Sequence, residues 1–184
     1  MSFLDNHQEF PTDPPRTWPS RYNAMLEALD NATSGSGKVV QVVTAVSSAV
    51  DETSSQTFEA TSHSVSITPH FSDSLLIVSV SGAGSVRLVS ADSISRSGGI
   101  RLYNVTDAAA LQGAENVRVG HNLVAASSEV APAYFPLTLN GRYEVDSLTQ
   151  RTIRLDIRTN SSATEIRAGW SGDSVLMSVM EVRP

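Results

Sequence analysis

SRYNAMLEALDNATSGSGKVVQVVTAV (residues 20–46) changes its hydrophobic period twice. Tyr22, Met25, Leu26 and Leu29 follow the i, i+3, i+4, i+7 spacing of one helical face, with Asn23, Glu27 and Asp30 opposite. Ser20 after Pro19 is a good N-cap, and Asn31, Thr33, Ser34 and Gly35 form a turn-prone end. SGSG reads as a hinge, and from Lys38 the apolar residues adopt the period of a strand. The stretch thus predicts a short amphipathic α-helix and hinge over residues 20–37, an arm before it over 1–19, and an all-β body over 38–184. A helix of about four turns is marginal alone, so its stripe must pack on something. Copies gathered into a short bundle and packing on the chain's own β domain both satisfy that need.

The arm holds Pro11, Pro14, Pro15 and Pro19, half of the chain's 8 prolines. Proline fixes φ and removes a backbone donor, so the segment is expected to be extended. Phe3, Leu4, Phe10 and Trp18 gain little from exposure on a free tail and read as anchors on a partner surface. The alternative is an arm folded back on its own β domain.

Within the body, Val65 and Ile67 alternate with serines, Leu76, Val78 and Val80 share one face, and so do Ile100 and Leu102. The clearest strand is RTIRLDIRT, where Ile153, Leu155 and Ile157 alternate with Arg154, Asp156 and Arg158. The closing SVLMSVMEVR sets Leu176, Met180 and Val182 on one face and Val175, Met177 and Val179 on the other. That pattern predicts burial on both sides, by the core and by another sheet or subunit. Turn signals recur at SDS, SGAGS, SGG, NG and NSS, and AALQGAEN near residue 110 carries a weak second helical period. The expected fold is an antiparallel β-sandwich of jelly-roll type with roughly eight to ten strands.

The chain has 184 residues, 40% hydrophobic and 17% charged, with a formal net charge of -6 and a single lysine, Lys38. This balance argues against nucleic-acid binding, which needs clustered cations. The acidic arm and the lack of a membrane-length apolar run argue against a membrane partner. With no cysteine, thiolate chemistry and Cys-based zinc sites are excluded. MSFLDNHQEF lacks the basic and apolar regions of a signal peptide, so the expected place is a cytoplasm, or a particle assembled there.

No constellation points to a reaction. His7, His63, His70 and His121 lack metal-ligand spacing and read as surface or turn residues, and no nucleophile elbow or phosphate-binding loop occurs. Asp156 and Glu181 lie on predicted strands with nothing to pair them. The NAT, NVT and NSS sequons read as coincidence without a secretion signal. No catalytic residue, metal or cofactor is expected. The row Arg154, Asp156 and Arg158 with nearby Arg167 offers a polar face for a sugar or a neighbouring protein, or a simple solvated face. Tyr134, Phe135 and Trp170 are the other candidate sugar platforms, against a burial reading.

GKVVQVVTAV, TSSQTFEATSHSVSITPHFSDSLLIVSVSG, GGIRLYN, TQRTIRLDIRTNSSATEIRAG and SVLMSVMEV together resemble a β-sandwich domain of tailed-bacteriophage fibre and virion-surface proteins. The likeness runs from about residue 37 to 182, with residues 107–140 departing from the pattern. It implies a virion structural protein: a homotrimeric capsid decoration or cement protein, held to capsid or tail proteins of the same particle by its N-terminal arm. The alternative it implies is a tail-fibre or tail-tip module that recognises host surface glycan or protein. A glycan hydrolase is the least supported class.

Overall fold

A computed structural model describes residues 37–89, 97–120, 132–170 and 173–183. Phe3, Leu4, Phe10, Trp18, Tyr22, Met25, Leu26 and Leu29, with His7 and His121, lie outside the described residues. The described residues form strands and no helix. These are β1 (Lys38–Ser47), β2 (Asp51–Thr53), β3 (Glu59–Ile67), β4 (Leu75–Leu88), β5 (Gly98–Asn104), β6 (Ala109–Ala110), β7 (Val117–Val119), β8 (Ala133–Glu144), β9 (Arg151–Thr159), β10 (Thr164–Ala168) and β11 (Val175–Arg183).

They assemble into two antiparallel sheets in a sandwich-like arrangement. In the first, β4 is the long spine. It pairs with β8 along residues 75–86 on one side, and on the other with β11 along residues 75–81 and with β10 along 84–88. β1 lies outside β11 and β2 outside β10, so the rows run β8, β4, β11 with β10, then β1 with β2. The second sheet runs β3, β9, β5, then β6 with β7.

Alternation explains why these faces meet. Val65 and Ile67 of β3, Leu76, Val78 and Val80 of β4, Ile100 and Leu102 of β5, and Ile153, Leu155 and Ile157 of β9 all point into one apolar cluster. Leu137 and Leu139 of β8, and Val175, Met177 and Val179 of β11, complete it. Each such side chain, taken fully out of water, contributes about 1.5–3 kcal/mol.

Three expectations are corrected. AALQGAEN is not helical: residues 109–110 form β6, and Leu111 and Ala114 turn into the core, their backbones bonded to Leu102. The following Gln112 exchanges both backbone hydrogen bonds with Arg142, so a loop from the second sheet closes part of the β8 edge. His63 is not a surface histidine. It stands on the same parity of β3 as Val65 and Ile67 and is 1% exposed, with Nε2 3.3 Å from Asp51 Oδ2. Phe135 faces inward as well, buried with its ring against Gly84 of β4, where a Cβ would stand 2.6 Å from the ring.

Candidate interaction surfaces

Since Ile153, Leu155 and Ile157 enter the core, Arg154, Asp156 and Arg158 stand on the outer face of the second sheet. The antiparallel register adds what β9 alone does not show: it sets Arg101 opposite Asp156, Tyr103 opposite Arg154 and Gly99 opposite Arg158. Asp156 is buried even on this outward face. Arg101 donates to its Oδ2 from Nη2 at 2.8 Å and Nε at 3.1 Å, and Arg154 Nε donates to Oδ1 at 2.6 Å.

Above this carboxylate the guanidiniums stack on aromatic rings. Arg101 lies 4.4 Å from the ring centres of both Phe58 and Tyr103, Arg154 5.8 Å from Tyr103, and Arg158 5.2 Å from Phe58. Stacking holds each guanidinium plane in place while leaving N–H groups at its rim. Arg158 makes longer contacts, 3.4 Å to the Gln56 carbonyl and 3.5 Å to Asn116 Oδ1. The result is an ordered platform in which two cations clamp one carboxylate and a third, Arg158, lies over Phe58.

Arg167 does not join this row. It lies on β10 in the first sheet, where Ile166 and Ala168 point inward and Glu165 and Arg167 outward. There Glu52, Arg167, Glu165 and Arg87 form a ladder of alternating charge with contacts of 2.7 to 2.9 Å. Burial pushes the Glu165 carboxyl up, but the two arginines outweigh it and hold it below the ordinary glutamate value.

An apolar patch lies elsewhere on the first sheet's outer face, beside the polar Ser79, Ser178, Thr138 and Asn140. Met180 of β11 sits opposite Ile77 of β4, and Val182 opposite Leu75. Ile77 and Leu176 are exposed, as are Val42 and Val46 of β1. Leu75 and Ile77 also floor an open depression of about 550 Å³ rimmed by Gln112, Gly113, Asn140 and Arg142. So the two apolar faces of SVLMSVMEVR have different fates: Val175, Met177 and Val179 enter the core, and Leu176, Met180 and Val182 remain on the outside.

Tyr134, 56% exposed, meets Trp170 edge-to-face with ring centres 4.9 Å apart. This pair is separate from the arginine platform, since Tyr134 lies on β8 of the first sheet.

Two further carboxylate clusters lie elsewhere. Glu181 is fully buried on β11 and accepts from the backbone N–H groups of His70 and Phe71, from Gln41 Nε2 and from Ser74 Oγ. Asp107 gathers Arg151 Nε at 2.9 Å, Tyr143 Oη at 2.6 Å and Asn104 Nδ2 at 2.7 Å, and Arg151 also pairs with Asp146. Asp156 and Glu181 therefore belong to different sheets and different networks. Among the described residues no group of three or more His, Asp or Glu side chains is placed to hold a metal ion. No helix among them is long and apolar enough to cross a membrane.

No family model and no curated protein matches the chain.

Sequence reasoning found Arg154, Arg158 and Asp156 but missed Phe58, Arg101 and Tyr103. Arg101 and Tyr103 were detectable as the outward parity of GGIRLYN, opposite Ile100 and Leu102. Phe58 precedes β3 and carried no periodic signal.

Proposed function

We propose that this chain is a structural protein of a tailed-phage virion, assembled in the bacterial cytoplasm as a homotrimeric capsid decoration or cement protein. Its arm, with Phe3, Leu4, Phe10 and Trp18, attaches to the particle, the stripe Tyr22, Met25, Leu26 and Leu29 gathers the copies, and the sandwich faces outward. The resemblance of its strand sequences to phage virion-surface domains supports this reading. The row order supports the jelly-roll form: numbering the eight rows along the chain, with β1 and β2 as row 1, β6 and β7 as row 5 and β10 and β11 as row 8, the sheets read 6-3-8-1 and 2-7-4-5, which is two interlocked Greek keys.

One observation carries the assembly part. β1 is a ten-residue, valine-rich edge strand without proline, and its Val42 and Val46 are 54% and 67% exposed beside the apolar face of β11 and β4. Long apolar edge strands pair with other chains unless something covers them, and apolar surface of this kind marks interfaces. A closed trimer would cover the same patch three times.

Light scattering on the full chain tests this. The wild type should run as a trimer, and Val42→Asp or Leu176→Asp, both at exposed positions, should lower the mass; a monomeric wild type, or unchanged mass in both variants, would sink the assembly reading. Deleting residues 1–19 should abolish incorporation into particles while leaving the oligomer intact.

The pair of exposed Tyr134 and half-buried Trp170 favours a second reading, a tail-fibre or tail-tip receptor-binding module, because an edge-to-face aromatic pair with one ring open to solvent suits ligand contact. Localisation on the particle by labelled electron microscopy separates the two.

A further inference from the structure

We infer that the outer face of the second sheet binds a carboxylate-bearing polysaccharide, with Arg101, Arg154 and Arg158 as the anion contacts and Tyr103 and Phe58 as the ring contacts. This goes beyond the assembly reading and does not depend on it, because assembly uses the outer face of the other sheet.

The charge on this face runs against the rest of the molecule. The chain carries a net charge of -6, yet here Arg101 and Arg154 clamp the Asp156 carboxylate and Arg158 stands two residues along β9 over Phe58. Asp156 occupies two N–H donors of Arg101 and one of Arg154, of the five that each guanidinium carries. Both side chains stay partly open, at 23% and 25% exposure, so unused donors reach the rim of the platform. A carboxylate suits this geometry, since planar guanidiniums accept it in forked, charge-assisted pairs.

The shape selects the kind of molecule. The platform is flat and extends about 13 Å from Arg154 to Arg158 along β9, so it offers no enclosure for a small ligand. It presents side chains only, whereas an acidic peptide gains its affinity from backbone hydrogen bonds at a sheet edge. A polymer that repeats its own charge and lays apolar ring faces against the open edges of the half-buried Tyr103 and Phe58 meets these limits. The stacking of Arg101 between those two rings lowers the ordering cost of binding.

The test is fluorescence anisotropy of labelled oligogalacturonate with the full chain at low salt, with dextran and poly-L-glutamate as comparison polymers. Binding to oligogalacturonate is expected, weakening as salt rises, with none to dextran. Arg158→Gln should weaken it by roughly tenfold, the effect of one hydrogen bond to a charged group. Its contacts within the protein are long, so this variant keeps the Asp156 clamp and its melting temperature should stay that of the wild type. Arg154→Gln should weaken binding similarly but also loosens that clamp, so it is read only beside its own melting curve. Absence of oligogalacturonate binding, unchanged affinity in Arg158→Gln, or equal affinity for poly-L-glutamate would each overturn the inference, the last pointing to an acidic protein partner.

Discussion

Gln41 of β1 donates from Nε2 to Glu181 Oε2 of β11 at 2.7 Å, tying the first strand to the last across 140 residues of sequence. The same nitrogen reaches the Thr68 carbonyl at 2.8 Å, and Glu181 also receives the backbone N–H groups of His70 and Phe71. A fully buried carboxylate thus closes the β3–β4 connection and the edge strand β1 onto the closing strand. Without it the backbone N–H groups of His70 and Phe71 would lose their acceptor.

Replacing Glu181 with alanine should therefore cost on the order of 3–5 kcal/mol, because several buried donors lose their acceptor at once. Glu181→Gln keeps the shape but turns an amide N–H₂ toward donors, and should cost roughly 2 kcal/mol. Urea unfolding of both variants measures this. A loss below about 0.5 kcal/mol in the alanine variant would show that the cluster is not stabilising.

Acid stability follows from the same group. Burial pushes the Glu181 carboxyl up, but hydrogen bonds from Gln41, Ser74, Phe71 and His70 outweigh it and hold its pKa below the ordinary value. Glu165 is likewise lowered. A lowered folded-state pKa gives stability that is fully present above the unfolded value of about 4.3 and is lost as pH falls through the folded value. Unfolding free energy should fall steeply below that pH in the wild type and less steeply in Glu181→Gln; parallel pH curves would contradict this.

Tyr143 should act at the opposite end of the scale. Burial, then the hydrogen bond to Asp107, raises its pKa above the ordinary value. Its contribution is present below the ordinary tyrosine value of about 10 and is lost as pH rises through the folded one. Spectrophotometric titration of the Tyr143→Phe variant against the wild type should remove one late-ionising phenol.

Arg151 is 2% exposed and paired with Asp107 and Asp146. Arg151→Met removes the cation and its hydrogen bonds but leaves Asp107 and Asp146 open to solvent, and should cost about 1–3 kcal/mol. Arg151→Lys should recover only part, since one ammonium cannot reproduce the forked contacts. Thermal unfolding ranks the three proteins, and a lysine variant as stable as the wild type would refute the geometric argument.

Two backbone positions should respond in opposite directions. Gly169 has φ of 84°, and a Cβ there would collide with the Ala49 carbonyl oxygen, so Gly169→Ala should destabilise by at least roughly 2 kcal/mol. Ala108 has φ of 52° in the turn before β6, so Ala108→Gly should stabilise by up to about 1 kcal/mol. Equal and small effects at the two sites would contradict this backbone geometry.

Much of the fold was legible because a strand's parity is local. RTIRLDIRT states which side chains go in, and Ile153, Leu155 and Ile157 do so. The same rule, applied to ATSHSVSIT, places His63 beside Val65 and Ile67; reading His63 by residue type rather than parity put it on the surface. Phe135 was open between a platform and a buried reading, and the parity it shares with Leu137 and Leu139 decides for burial. In SVLMSVMEVR both parities are apolar, and no local signal chooses between them.

By itself, the sequence determined the β character of the body and the positions and inward faces of its regularly alternating strands, because an extended chain repeats its side-chain direction every two residues. Only the tertiary structure decided which outward residues become neighbours. Arg101 meets Asp156 across 55 residues and Gln41 meets Glu181 across 140. Such pairs depend on sheet register and row order, which follow from burying all the apolar faces in one core while every strand keeps its backbone hydrogen bonds. No stretch of chain short enough to show a period contains both partners.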